Sequence, residues 1–137
     1  MLGERFVLFG EFLFAQHCVA YTRLPDLLLV FDVFDKQQQL FLSRDRITAL
    51  LGECVRQVPL LLRQSATVTR EQLAQLVGEP SAFSDELREG VYVRIERAGA
   101  VVERFKFRRP TFVPGVQGGM QAGRSHEKRN IVEFELY

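Results

Sequence analysis

Four short stretches of this chain carry residue types that could do chemistry. Gly10-Glu11 follows the apolar run FVLF at residues 6–9, and Phe31-Asp32 follows the run LLLV at 27–30. A carboxylate at the end of a buried strand is costly unless it meets a cation, a metal ion or a ligand, so Glu11 and Asp32 each call for a partner. Glu89-Gly90 opens a strand-like alternation. Farther on, Arg104, Lys106 and Arg108 fall on one face of a strand and Phe105 and Phe107 on the other. Three cations on one face repel unless solvent or anions face them, so a local phosphate-handling surface is the sharper reading. The plainer one is a charged edge guarded against aggregation. Singly, Phe31 also reads as a core aromatic and Glu89 as a solvated loop acid.

The elements that must hold these residues follow from periodicity. Residues 6–9 and 12–14 read as strand, with Gly10-Glu11 as a break or bulge between them. Such an apolar opening strand wants neighbours on both sides. Pro25 closes a connection, and 27–34 is the most apolar strand, placed centrally. A polar turn at 35–39 leads to a short strand at 40–42. Ser43 then caps a helix whose face is Ile47, Leu50, Leu51, Cys54 and Val55. Residues 58–62 read as an edge strand entered through Pro59. Thr69 and Gln72 have the capping-box form ahead of Leu73, Leu76 and Val77, and Gly78 to Pro80 ends that helix. Residues 81–88 are a polar linker or weak helix. Val91, Val93 and Ile95 alternate with polar neighbours, Ala98-Gly99 makes a turn, and 101–108 returns as the second hairpin arm. A last strand is expected at 131–136.

Length and charge narrow the classes. A chain of 137 residues with 47% hydrophobic content suits one domain with its own core. A net charge of +1 does not mark a bulk nucleic-acid or membrane binder, so any anion site must be local. Cys18 and Cys54 cannot form a disulfide framework, and with His17 and His126 they lack finger spacing for zinc. They read as buried free thiols in a reducing compartment. No run reaches transmembrane length and the Met1 end lacks a signal-peptide pattern, so the expected location is cytoplasmic, without a membrane partner.

The order of the four stretches carries more than any one of them. FGE at 9–11, VFDVFD at 30–35, EGVYVR at 89–94 and FKFR at 105–108 resemble the later nucleotidyltransferase motifs of ATP-dependent RNA ligases. The likeness is to the bacteriophage type-2 group, within the superfamily that also holds DNA ligases and capping guanylyltransferases. Glu11 and Phe31 lie twenty residues apart and Glu89 and Lys106 seventeen, spacings similar to the family's. The resemblance covers roughly residues 6–112, with 43–77 falling where the family carries a variable insert.

The resemblance implies a mechanism: AMP passes from ATP to an enzyme lysine, then to an RNA 5′-phosphate, and a 3′-hydroxyl displaces it. It implies that Glu11 accepts hydrogen bonds from the ribose hydroxyls and that Phe31 stacks on adenine. Glu89 would bind Mg²⁺ or Mn²⁺, and Lys106 and Arg108 would contact the α-phosphate. Arg104 would extend that surface to the RNA backbone. The implied fold is α+β: a partial nucleotidyltransferase core, ATP-grasp-like, with a mostly antiparallel sheet and about two helices. It spans 1–114, with a C-terminal tail at 115–137.

Two departures qualify this. Arg108 stands where the family offers a second lysine; it binds phosphate bidentately but is a poor proton donor. The nucleophile's Lys-x-Asp-Gly motif is absent, because none of Lys36, Lys106 and Lys128 is followed by x-Asp-Gly. By the usual route no covalent AMP intermediate forms without that lysine. The chain therefore reads as the C-terminal part of a ligase domain, completed by a lysine-bearing N-terminal segment or a separate polypeptide. The alternatives are a non-catalytic nucleotide- or RNA-binding remnant, and then a DNA ligase or guanylyltransferase.

Overall fold

The computed structural model describes residues 3–15 and 19–110 of the chain. His17, Cys18, His126, the tail at 115–137 and the strand expected at 131–136 lie outside the described residues. The fold is α+β, with antiparallel sheets and two helices, as the sequence predicts. The described residues form two compact units. One takes in residues 3–12, 28–58 and 92–105; the other takes in 13–15, 19–27, 59–91 and 106–110. No helix among the described residues is long and apolar enough to cross a membrane.

The first unit is built on a three-stranded sheet. β1 (Phe6–Phe12), β2 (Leu28–Asp35) and β3 (Leu40–Phe41) lie in that order, each antiparallel to its neighbour. The most apolar strand is central, as expected. Its Val30 and Val33 pack with Leu42 and with Ile47 and Leu51 of α1 (Arg44–Leu51) to make the core. Each such side chain contributes roughly 1.5–3 kcal/mol by leaving water. β1 is an edge strand rather than a core strand: Val7 is 38% exposed and Phe9 40%, and Glu11 is exposed. The cost of a buried carboxylate therefore does not arise at Glu11.

The expected irregularity near Gly10 is present, but β1 runs through it to Phe12 and residues 13–14 leave the strand. Phe9 pairs with Asp32 and Gly10 with Val30, so the extra residue is Phe31 on the facing strand. A bulge leaves one residue unpaired and re-aims its side chain. Gly10 belongs to the same device, because a Cβ there would lie 2.9 Å from the Leu29 carbonyl oxygen.

Two further expectations, for α1 and for the strand at 58–62, are corrected. α1 stops at Leu51, where the chain turns left-handed at Gly52 (φ 56°), so Cys54 and Val55 lie beyond it. Val55 still packs on the core from the loop, while Cys54 is exposed rather than buried. Residues 58–62 form no strand; Val30 bridges Gln57 just before them, its N–H donating to the Arg56 carbonyl and its carbonyl accepting from the Val58 N–H. Leu60, Leu61 and Leu62 are exposed, since no facing strand among the described residues covers them. Of the two readings of residues 81–88, the linker holds: they form no helix, and Pro80 bridges Leu87.

The other local signals hold. Thr69 and Gln72 make both halves of a capping box at the start of α2 (Arg70–Val77), which buries Leu73 and Val77. β4 (Gly90–Arg97) and β5 (Ala100–Arg108) form a hairpin whose two linking residues, Ala98 and Gly99, both have positive φ. That is the turn whose twist suits a two-residue connection.

Asp35 ends β2 fully buried, accepting from Arg5 Nε at 3.0 Å and Nη2 at 2.6 Å and from the Gln37 and Gln38 N–H groups. The Arg5 hydrogen bonds hold its carboxyl down at about 2, below its ordinary 3.8. A lowered folded-state value stabilises the fold above the ordinary value, and that stabilisation is lost as pH falls toward 2. Urea midpoints should therefore drop between about pH 4 and pH 2, and Asp35→Asn should flatten that drop while lowering the plateau. Separately, Gly10→Ala should cost about 1–3 kcal/mol, read by the same denaturation, because the strand backbone must shift to admit the methyl group.

Candidate functional site

Asp32 is fully buried in β2, so its carboxylate must be compensated. The hairpin supplies the partners. Tyr92 donates its hydroxyl to Asp32 Oδ2 at 2.5 Å, and Arg104 Nη1 reaches the same oxygen at 2.8 Å. Arg94 Nε stands 3.5 Å from Oδ1 as an ion pair. Arg94 also donates to the Phe31 carbonyl at 3.1 Å and to the Leu42 carbonyl, and its Nη2 meets Glu96 at 3.2 Å. The carbonyl of the bulged residue, left without a ladder partner, is thus satisfied by a guanidinium. Burial first, and then the bond to Asp32, push the Tyr92 phenol up to about 12, so it stays protonated and donating near neutral pH.

The bulge explains how one tyrosine meets two consecutive β2 residues. Tyr92 bonds Asp32 with its hydroxyl and meets Phe31 with its ring, centroids 5.5 Å apart and planes at 68°. In a regular strand Phe31 and Asp32 would point to opposite faces.

Arg104, which the resemblance implies would extend the phosphate surface to RNA, has partners within the fold. Its guanidinium lies over the Phe41 ring, 3.7 Å from the centroid, and is anchored on Asp32. A buried carboxylate outcompetes solvent for the nearest strand-borne cation.

The second unit holds the other candidates. Glu89 precedes β4, and its Oε1 lies 2.9 Å from Lys106 Nζ on β5; both side chains are partly exposed. The strands approach closely there: a Cβ on Gly90 would sit 2.6 Å from the Phe107 carbonyl oxygen, and the Arg109 N–H donates to the Glu89 carbonyl. Arg108 is exposed two residues beyond Lys106. Of the five expected site residues, Glu89 and Lys106 are therefore in contact. In the first unit Phe31 sits in the bulge and Glu11 lies one register step beyond it, paired with Leu29. Among the described residues no group of three or more His, Cys, Asp or Glu side chains could hold a metal ion.

The family model described as RNA ligase matches residues 2–108. The chain belongs to the RNA ligase family. The matched span takes in all four motifs, from FGE to FKFR. No curated protein and no solved structure matches the chain.

The residues that sequence reasoning missed in this member of the family are Tyr92 and Arg94. Both lie on the polar side of the β4 alternation, and both were visible only as strand patterning. A signal existed: a buried Asp32 demands a cation or donor, and the EGVYVR stretch offers two. Asp32→Ala should cost about 3–5 kcal/mol, because it takes the carboxylate from Arg104 and the acceptor from the Tyr92 hydroxyl and leaves the mostly buried Arg94 with Glu96 as its remaining carboxylate. Arg104→Ala, at a side chain 39% exposed, should cost clearly less. Equal losses in chemical denaturation would mean that the cluster is not organised around the carboxylate.

Proposed function

We propose that this chain is the nucleotide-holding part of an ATP-dependent RNA ligase of the nucleotidyltransferase superfamily, similar in motif pattern to the bacteriophage type-2 group. The complete enzyme joins RNA ends in three transfers. A lysine amine attacks the α-phosphorus of ATP and pyrophosphate leaves. An RNA 5′-phosphate oxygen then takes the AMP, freeing the lysine. Finally an RNA 3′-hydroxyl attacks the adenylated 5′-phosphate and AMP leaves. Such chemistry depends on positioning and charge stabilisation more than on acid–base groups.

The observation that carries this reading is the Glu89–Lys106 contact at the foot of the hairpin, within an RNA ligase family match. An ammonium held by a partly exposed carboxylate is oriented yet free to exchange partners when a phosphate arrives. Arg108, exposed on the same strand, adds a fork-shaped donor for a second phosphate oxygen. Phe31 offers a face to adenine, and Glu11, exposed beside the bulge, offers acceptor oxygens to the ribose hydroxyls.

Mg²⁺, or Mn²⁺ in its place, fits this donor set in one manner. It commonly takes one or two protein carboxylates, with substrate phosphates and water completing its shell, and Glu89 can be that carboxylate. When bound, the ion supplies charge neutralisation on the phosphates.

The nucleophile is the part these residues do not supply. Neither Lys36 in the turn after β2 nor Lys106 in its ion pair has the x-Asp-Gly context, and neither does Lys128. The lysine then comes from a segment or polypeptide outside these 137 residues. The same absence supports a second reading, a nucleotide- or RNA-end-binding remnant without chemistry.

Incubation with α-labelled ATP and Mg²⁺ separates the two. The chain alone should take up no covalent AMP, and adding an RNA ligase segment that bears Lys-x-Asp-Gly should restore labelling. Glu89→Ala or Lys106→Ala should then cut labelling by about 10²-fold or more without unfolding the chain. Undiminished labelling in either variant would remove that residue from the site. No labelling with any added segment, together with measurable nucleotide binding, would favour the remnant.

A further inference from the structure

The hydrogen bonding around the bulge gives Tyr92 a task beyond filling space. An edge-to-face aromatic contact is by itself ordinary packing. Here, however, the two partners are restrained from both sides. The Tyr92 hydroxyl is committed to Asp32, a fully buried carboxylate that Arg104 and Arg94 hold in turn. The Phe31 main chain is held at its carbonyl by Arg94, two residues along β4 from Tyr92. Alternate residues of one strand therefore grip the ring and the backbone of a residue that its own strand leaves unpaired.

We infer that Tyr92 is a positioning residue for the base-stacking Phe31, its ring held by the Asp32 hydrogen bond so that the Phe31 ring presents one fixed face to a purine. This rests on the reading of Phe31 as the adenine contact. Tyr92 touches no reacting atom; it acts through Phe31. The free energy of stacking depends on ring orientation, and a phenyl ring preset by its neighbours need not be ordered when the base arrives. The hydroxyl matters as much as the ring. Without it the aromatic contact remains but nothing fixes its angle, and Asp32 Oδ2 keeps only Arg104.

The test uses the whole chain with AMP as the probe and carbon-13-labelled phenylalanine rings as the reporter. Tyr92→Phe should move the Phe31 ring resonances and quicken its ring flips while most backbone amide resonances stay in place. It should also weaken AMP binding roughly three- to tenfold and lessen the upfield shift of the adenine protons. Phe31→Leu is the companion variant. If it leaves AMP binding unchanged, or if the wild-type chain binds no AMP, the reading of Phe31 as a base contact fails; the Tyr92 inference as a statement about nucleotide binding falls with it. If Phe31→Leu weakens binding but Tyr92→Phe alters neither affinity nor the Phe31 resonances, the inference about Tyr92 is overturned and the reading of Phe31 stands. Should Tyr92→Phe unfold the chain, Arg94→Lys gives the second reading of the same grip. It should likewise move the Phe31 resonances, and unchanged resonances there would also overturn the inference.

Discussion

The first unit depends on one carboxylate placed where water cannot reach it. Asp32 stands in the most apolar strand of the chain, between Val30 and Val33, which are core residues. An isolated charge there would be intolerable, and a protonated acid would still need its donors and acceptors met. The chain meets the demand with a phenol and two guanidiniums drawn from a hairpin 60 to 72 residues away in sequence. Such a cluster is a modest source of net stability, because desolvation offsets much of the attraction. Its effect is on specificity: the register in which the hairpin meets Asp32 without leaving charges uncompensated is tightly restricted.

The bulge at Phe31 and the glycine beside it belong to the same constraint. Without the extra residue, Phe31 and Asp32 would face opposite sides of the sheet, and no single strand could grip both. Gly10 lets β1 approach the Leu29 carbonyl where the ladder shifts. The dipeptides Gly10-Glu11 and Phe31-Asp32 are thus two halves of one structural device, which leaves Glu11 exposed and Phe31 turned toward the hairpin. At the far end of that hairpin a second close approach, at Gly90, accompanies the pairing of Glu89 with Lys106. Both glycines stand where backbone nears backbone, next to a residue with a proposed role in nucleotide handling.

Much of this was legible in the residues and some of it was not. The central strand, both helix caps, the capping box and the Ala98-Gly99 turn could be read directly, since each depends on a few neighbouring side chains. The apolar spacing that extended α1 to Val55 misled, because a loop residue can pack on the same core as the helix before it. The run at 58–62 misled for the opposite reason: with no facing strand among the described residues, β-type residues make no ladder. Arg104, grouped with Lys106 and Arg108 by alternation alone, is set apart from them by its anchorage to Asp32. Glu89 and Lys106 belong to different motifs, and the hairpin brings them within 2.9 Å of each other.

The sequence by itself determined the elements whose signals are local and the match over residues 2–108 that places the chain in the RNA ligase family. It also posed the question of Asp32, because a buried carboxylate announces a missing partner without naming it. Only the tertiary structure decided which residues answer: Tyr92, Arg94 and Arg104. The same holds for which strand carries the extra residue of the bulge. Those choices are made by contacts across dozens of residues, where hydrogen-bond geometry and desolvation, rather than local propensity, select one arrangement.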